Sequence, residues 1–176
     1  IAIFIDGENF YNRLLDRGIT KIDLNKLIGL LCGSNRKIVS ISYYDCYYIQ
    51  HIDPTRYMHQ RQWIEYVKKE IGEENVYMVK RNKKFNKNTN KVTYQAKGDD
   101  IYLAAHMVKF AYIDAYDTAF LISGDGDFWP AVKVVKELKG KQVEDFYMYP
   151  NYSRLLNAEC IHCNEITHLI KQCIIS

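Results

Sequence analysis

Short apolar runs alternate with helical patterns along most of the chain. Continuous apolar and β-branched runs are typical of buried strands. They predict five strands, at residues 1–5, 37–48, 76–79, 118–122 and 143–149. Apolar residues three or four positions apart are typical of helices. With capping residues at the boundaries, this spacing predicts helices at 10–16, 24–31, 54–71, 99–112 and 128–138, and a last short helix at 153–158 before an apolar tail.

This alternation indicates the fold class. Strands separated by helices need crossover connections, so we expect an α/β fold in which a mainly parallel sheet of five or six strands lies between two layers of helices. Residues 83–95 depart from the pattern: a turn-rich Asn-Lys-Asn-Thr-Asn stretch between two flanks predicts an inserted β-hairpin. A length of 176 residues, without repeat or linker, suits a single domain over 1–176.

The composition narrows the class of protein. No apolar run approaches the ~20 residues that span a bilayer, and nothing resembles a secretion signal, so no membrane partner is expected. Five cysteines at scattered spacings are typical of reduced thiols. We therefore expect a cytoplasmic protein.

Positive charge is concentrated in one part of the chain, residues 80–97, which we call the basic segment. It contains no acid, whereas the rest of the chain has 17 basic and 21 acidic residues. Such a segment could contact the phosphates of a nucleic acid. It could equally be a hairpin that lysines keep soluble. Its basic residues are Lys80, Arg81, Lys83, Lys84, Lys87, Lys91 and Lys97.

Carboxylates follow two of the predicted strands directly. Asp6 comes after the first strand, and Asp125 and Asp127 come after the fourth. Carboxyl ends of parallel strands meet at one edge of a sheet, where α/β folds form their sites. Crowded carboxylates suit Mg²⁺ or Mn²⁺, and a water on such an ion can hydrolyse a phosphodiester. Taken singly, each acid could instead cap a helix or shape a turn.

Three segments resemble the NYN domain family. These are Phe4-Ile5-Asp6-Gly7-Glu8-Asn9, Lys97-Gly98-Asp99-Asp100-Ile101 and Leu121-Ile122-Ser123-Gly124-Asp125-Gly126-Asp127-Phe128. The resemblance covers nearly the whole chain, and the last segment is its most specific part. It implies a PIN-like three-layer α/β/α fold and a metal-dependent ribonuclease.

The resemblance also implies a set of site residues. Asp6, Asp100, Asp125 and Asp127 would be the catalytic acids and would hold Mg²⁺ or Mn²⁺. Asn9 and Ser123 would support the site. The implied activity is an endoribonuclease that uses an activated water, with single-stranded or looped RNA as the partner. Family analogy also suggests a homodimer.

One position departs from the family pattern. Where the family usually has a further Asp, this chain has His106, which could alter the preference for a metal or mark a lost activity. It could also be an ordinary hydrogen-bonding histidine on a helix. Helical spacing puts Asp99 on the face of His106, whereas the family motif favours Asp100. We expect Asp100 in the site and keep Asp99 as the alternative.

Two further groups have alternative interpretations. Cys160, Cys163, His168 and Cys173 have the spacing of a zinc knuckle, but the stretch lacks its glycines and is apolar, so buried thiols are favoured. A cluster of tyrosines near the end of the second strand could stack on bases or could be half-buried residues of the sheet. The cluster is Tyr43, Tyr44, Tyr47 and Tyr48.

Two other functions compete with RNA cleavage. A PIN-like module that binds RNA without cutting it would bind equally well in EDTA. A metal-dependent phosphatase for a small substrate would use the acids but not the basic segment. Neutral residues in place of Lys83, Lys84 and Lys87 would then leave its turnover intact.

Overall fold

The computed structural model describes residues 1–86, 91–95 and 98–175 of the chain. Its strands are β1 Ala2–Asp6, β2 Ser40–Cys46, β3 Val76–Val79, β4 Asn82–Asn86, β5 Lys91–Gln95, β6 Thr118–Ser123, β7 Gln142–Tyr147 and β8 His162–Glu165. Its helices are α1 Gly7–Leu15, α2 Leu24–Cys32, α3 Pro54–Ile71, α4 Asp99–Tyr112, α5 Trp129–Lys139, α6 Arg154–Glu159 and α7 Thr167–Gln172.

Six strands form one parallel sheet in the order β3-β2-β1-β6-β7-β8. The chain thus starts in the middle of the sheet, and β1 and β6 are adjacent, with Ile5 opposite Ile122. Both strands end at the same edge, as parallel pairing requires. The expected α/β fold with a parallel sheet is confirmed, and the number of strands is six.

Strand β1 is buried throughout, and its side chains alternate between two cores. Ile3 and Ile5 pack with residues of α1, α2 and α3 on one face. Ala2 and Phe4 pack with residues of α4 and α5 on the other. A strand covered on both faces reads as a continuous apolar run, which is why the first five residues were predictable as a central strand.

The predicted hairpin is present as a separate antiparallel sheet of β4 and β5, in which Asn82 pairs with Gln95 and Asn86 with Lys91. Its turn, residues 87–90, lies outside the described residues, and so do residues 96 and 97. Within the described ranges, no helix has both the length and the apolar character that crossing a bilayer requires.

The zinc knuckle is contradicted. Cys160 lies in the core beside α4 and α5, whereas Cys173 lies in the core on the opposite face of the sheet, and His168 is exposed. Cysteines separated by the sheet cannot bind one ion. The expected apolar tail instead forms β8 and α7. Cys160 follows α6 directly and Cys173 follows α7 directly, and the favoured alternative of buried thiols holds for both.

Candidate active site

Asp6 and Ser123 end two adjacent strands, and this brings their side chains together. The Ser123 hydroxyl donates a 2.7 Å hydrogen bond to Oδ2 of Asp6. The backbone N–H of Asn9 donates to Oδ1 of Asp6 at 3.1 Å, so Asp6 is also the N-cap of α1. The cap and the site therefore share one carboxyl group.

The Asp6 carboxyl lies in an environment that disfavours its negative charge. Burial raises its pKa well above the ordinary value, and the hydrogen bonds from Ser123 and Asn9 oppose this only in part. The negative charges of Asp100 and Asp125 raise the pKa further. Asp6 is therefore surrounded by like charge, which is the situation that a bound cation would relieve.

A tight turn after β6 carries Asp125 and Asp127. The backbone N–H of Asp125 donates to Oγ of Ser123 at 3.0 Å, and that of Asp127 donates to Oδ1 of Asp125 at 2.9 Å. Gly124 has φ of +133°, and a Cβ there would lie 2.2 Å from the backbone oxygen of Asn151. The turn thus needs glycine at this position.

The start of α4 supplies Asp100. This side chain is exposed, whereas that of the neighbouring Asp99 is buried. Removal of part of its hydration raises the pKa of Asp100 to about 6, and the charges of Asp99, Asp125, Glu8 and Asp127 add to that rise. Asp100 therefore shares an electrostatic environment with the other predicted acids, and also with Asp99, so the choice of Asp100 over Asp99 stays a prediction.

His106 lies in a group of aromatic rings. Its Nδ1 is 3.0 Å from the Tyr44 hydroxyl, and its ring contacts four aromatic side chains at centroid distances of 4.9–5.7 Å. Burial, and then the charge of Lys109, lowers its pKa. The rings belong to Tyr44, Tyr77, Tyr102 and Phe110. These contacts favour the second interpretation, in which His106 is an ordinary hydrogen-bonded histidine on a helix.

The acids offer oxygen ligands of the kind that Mg²⁺ and Mn²⁺ prefer. The carboxylates of Asp100 and Asp127 accept no hydrogen bond from the part of the chain that the structure describes, so both are available to an ion. Within that same part, however, no three His, Cys, Asp or Glu side chains are already grouped closely enough to hold a metal. The donor set therefore fits a hard cation, with ligation requiring the acids to approach one another.

The basic segment adjoins this edge of the sheet through Arg81. Its Nη2 lies 2.6 Å from Oε1 of Glu8, and its Nε donates to the backbone oxygen of Tyr47 at 3.1 Å. Lys80, Lys83 and Lys84 are exposed. Lys87 and Lys97 lie outside the described residues, and Lys91 is described only as part of the backbone of β5.

A comparison with models of protein families shows which family this chain belongs to. The model of the NYN domain matches residues 1–166, nearly the whole chain. The chain belongs to the NYN domain family. This family has a PIN-like nuclease fold and is associated with RNA in general, and at that level the expectations from the resemblance hold.

Solved structures agree on the fold of this NYN domain. The crystal structure of a protein of unknown function from Vibrio parahaemolyticus is similar, with a TM-score of 0.70 and 20% sequence identity. The match covers 99% of this chain and 94% of that chain. The PIN-like fold is thus confirmed. A comparison with curated proteins found no match.

Two residues near the acids of the NYN domain had no predicted role. Glu8 raises the pKa of Asp100 and binds Arg81. Asn151 donates from Nδ2 to Oδ1 of Asn9 at 3.2 Å. Glu8 stands inside the first family segment, so it had a signal in the sequence. Asn151 follows β7 and is brought close only by the fold.

The tyrosine cluster divides into two pairs. Tyr43 and Tyr44 are buried, so neither can stack on a base, and the stacking interpretation is wrong for them. Tyr47 and Tyr48 are half-buried. The Tyr43 ring also fixes the backbone beside Asp6, because a Cβ on Gly7 would lie 2.4 Å from it.

Proposed function

We propose that this NYN domain is a metal-dependent endoribonuclease. The observation that carries the proposal is the group of carboxyl groups at the ends of β1 and β6 and the start of α4. Burial, and in addition the like charges of the neighbouring acids, raises the pKa values of Asp6 and Asp100. Such mutual repulsion is expected where a site is built for a divalent cation and a phosphodiester.

Asp6, Asp100, Asp125 and Asp127 would hold Mg²⁺ or Mn²⁺. A divalent ion bound there supplies an activated water and offsets negative charge on the phosphate. The protein's own part is to orient the acids: Ser123 fixes Asp6 and the turn that carries Asp125. Asn9 fixes Asp6 from the other side and is itself fixed by Asn151.

The substrate would be single-stranded or looped RNA, with the basic segment contacting its phosphates. Lys83 and Lys84 are exposed on the hairpin, which forms a sheet of its own, and would contact a strand that enters the site. We retain a cytoplasmic location and a homodimer as parts of the proposal, the second on family analogy alone.

One observation favours a second candidate, an RNA-binding module that does not cut. No three potential ligands in the described chain are grouped for a metal. A domain that had lost its metal would keep its lysines and still bind RNA. A phosphatase for small substrates is a weaker candidate, since it would have no use for the basic segment.

Incubation of labelled single-stranded RNA with Mn²⁺, Mg²⁺ or EDTA tests the proposal. We expect cleavage with either metal and none in EDTA. Asp125→Asn should lower the rate at least about 100-fold, which is the usual loss when one group that stabilises a transition state is removed. Asp16→Asn, at an exposed position on the far end of α1, is the matched control. Intact RNA in every lane, with binding unchanged by EDTA, would favour the binding module.

A further inference from the structure

A cavity of about 440 Å³ lies between the hairpin and the start of α3, and the proposed reaction has not used it. This volume is in the range of ligand sites, ~300–1,000 Å³. The side chains that matter come from the end of β2, the following loop, α3 and the hairpin. They are Tyr48, Ile52, Arg56, Arg81, Val92 and Tyr94.

Two guanidinium groups lie over the same ring in this cavity. Arg56 is 4.6 Å and Arg81 is 4.9 Å from the ring centroid of Tyr48. The Tyr48 hydroxyl and Nη2 of Arg56 both donate to Oδ1 of Asn12, at 2.8 and 2.7 Å, so ring and guanidinium are held together. Guanidinium groups held in place in this way are suited to bind phosphate, and of the two Arg81 is already paired with the carboxylate of Glu8.

Both arginines retain donors for a ligand. Arg56 uses only Nη2, and Arg81 uses Nε and Nη2, in hydrogen bonds within the described chain. Nη1 of each therefore has no acceptor in that part of the protein. A phosphate group entering the cavity could accept from either.

The remaining walls combine apolar side chains that face solvent with two polar ones, Thr93 and Asp53, and the Asp53 carboxylate caps α3 by accepting from the backbone N–H of Arg56. Ile52 is 56% exposed on one side and Val92 is 43% exposed on the other. Tyr94 stands beside them, with its hydroxyl 3.3 Å from Nε2 of His51. Exposed apolar and aromatic side chains next to arginines are the combination that binds a single-stranded base together with its phosphate.

Glu8 connects this cavity to the acids. Its Oε1 binds Arg81, and its charge acts on Asp100. A ligand in the cavity would therefore lie next to the proposed cleavage site. This favours a unit of the same RNA strand over an unrelated small molecule.

We propose that the cavity between α3 and the hairpin binds one nucleotide unit of the RNA, with its phosphate at Arg56 and Arg81 and its base between Ile52 and Tyr94. The inference rests on the proposed function and makes it more specific. The domain would act on a single strand long enough to fill both the cavity and the acid site, and an isolated phosphate ester would bind poorly.

Binding without cleavage tests this subsite. We would measure the anisotropy of a labelled single-stranded RNA in EDTA with the native protein and two variants. Arg56→Ala should weaken binding about 10-fold and reduce the dependence of log affinity on log salt by about 0.7, the value for one lost contact to a single strand. Ile52→Ser should weaken RNA binding several-fold and leave the salt dependence unchanged. Both side chains are exposed, so the variants should fold.

Lys69→Ala is the matched control, because Lys69 is an exposed cation on the same helix, ~20 Å from Arg56 at 1.5 Å per residue. Native affinity in both Arg56→Ala and Ile52→Ser would overturn the subsite, and so would equal losses in all three variants. Tight binding of inorganic phosphate or of a mononucleotide alone would contradict the proposal, because the cavity would then be a site for a free ligand and not for part of an RNA strand. If Arg56→Ala binds RNA more weakly but the native protein shows no metal-dependent cleavage, the subsite proposal stands and the proposed nuclease function is refuted.

Discussion

Asp6 has two roles that normally belong to different residues. It caps α1, and it faces the other acids of the site while its hydrogen bonds fix both its oxygens in direction. An N-cap needs only an oxygen that accepts a backbone hydrogen bond. A cation site needs a negative charge at a buried position, where that charge is unfavourable. The raised pKa of Asp6 reflects this cost, which a bound cation would offset.

His106 stands where the family usually has an aspartate, so its role decides whether the site keeps its activity. We expect His106→Phe to fold, because the four surrounding rings can accept another aromatic side chain. It should lose about 1 kcal/mol of unfolding free energy, since it removes the hydrogen bond between the Tyr44 hydroxyl and Nδ1 of His106. Urea unfolding measures this loss. Cleavage rate and Mn²⁺ affinity should stay within about three-fold of native, and a collapse of both would make His106 part of the site.

Residues of the site differ in how far the sequence could predict them. Asp6 and Asp125 were predictable because strand ends are visible in the apolar pattern. The choice of Asp100 over Asp99 came from the family motif, because the helical repeat says little about a side chain in the first turn. Outside the site, the buried carboxyl of Asp145 on β7 gave no signal, since one acid in an apolar strand does not reveal which face it lies on.

The turn after β6 has a backbone that only glycine fits. Gly124→Ala should lower the unfolding free energy by about 2 kcal/mol or more, because of its positive φ and the clash with the Asn151 oxygen. Cleavage should fall with it, because the same turn carries Asp125. Thermal unfolding and RNA cleavage measure the two effects.

Gly29→Ala is the matched control for that substitution. Gly29 lies inside α2, and a Cβ there would meet nothing within 4 Å. Alanine in a helix interior is better than glycine by about 0.5–1 kcal/mol. We therefore expect stabilisation and native cleavage. A stable, active Gly124→Ala would show that the turn does not constrain the acids.

The hairpin is the element expected to hold the substrate. Changing Lys83 and Lys84 to Glu should weaken RNA binding at least about 10-fold and lower the salt slope by more than 1, because two phosphate contacts are lost. The fold should be unaffected, since β4 and β5 form a two-stranded sheet of their own among the described residues. The double change of Lys69 on α3 and Lys171 on α7 to Glu alters the net charge by the same amount and is the control, and an equal effect there would indicate non-specific attraction.

Most elements followed from the pattern of apolar residues, and the exceptions have physical reasons. Strand β8 has the sequence His-Cys-Asn-Glu, which has neither an apolar run nor an alternation of faces. It forms because β7 leaves an edge to pair with. Helix α7 has six residues, too few for a helical period to be recognised. Long-range pairing determines both elements, and local sequence does not encode it.

At the scale of the whole molecule, two buried aspartates outside the acid cluster link stability to pH. Asp45 and Asp145 are fully buried, and burial raises the pKa of each to about 7. Asp45 accepts hydrogen bonds from the Tyr43 hydroxyl and from Gln60, whereas Oδ1 of Asp145 has no partner in the described chain. The folded state therefore holds protons that the unfolded chain, with an aspartate pKa of ~3.9, releases.

The contribution of these protons is complete below about pH 4 and is lost as the pH rises through 7. We expect the unfolding free energy from urea titrations to fall between about pH 4 and 7 and to level off above that. The fall should be smaller in Asp145→Asn, by at most about 4 kcal/mol. The exposed Asp16→Asn should retain the native slope. Parallel curves for native and Asp145→Asn would contradict the assignment, whatever their absolute stability.

The central claim is that the acids at the ends of β1 and β6 direct a water to RNA through a divalent ion. Analysis of the product ends after cleavage in Mg²⁺ or Mn²⁺ tests it most directly. Attack by water with departure of the 3′ oxygen predicts products that carry 5′-phosphate and 3′-hydroxyl ends, including at a site whose 2′-hydroxyl has been removed. Ends with a 2′,3′-cyclic phosphate, or cleavage that persists in EDTA, would contradict the claim.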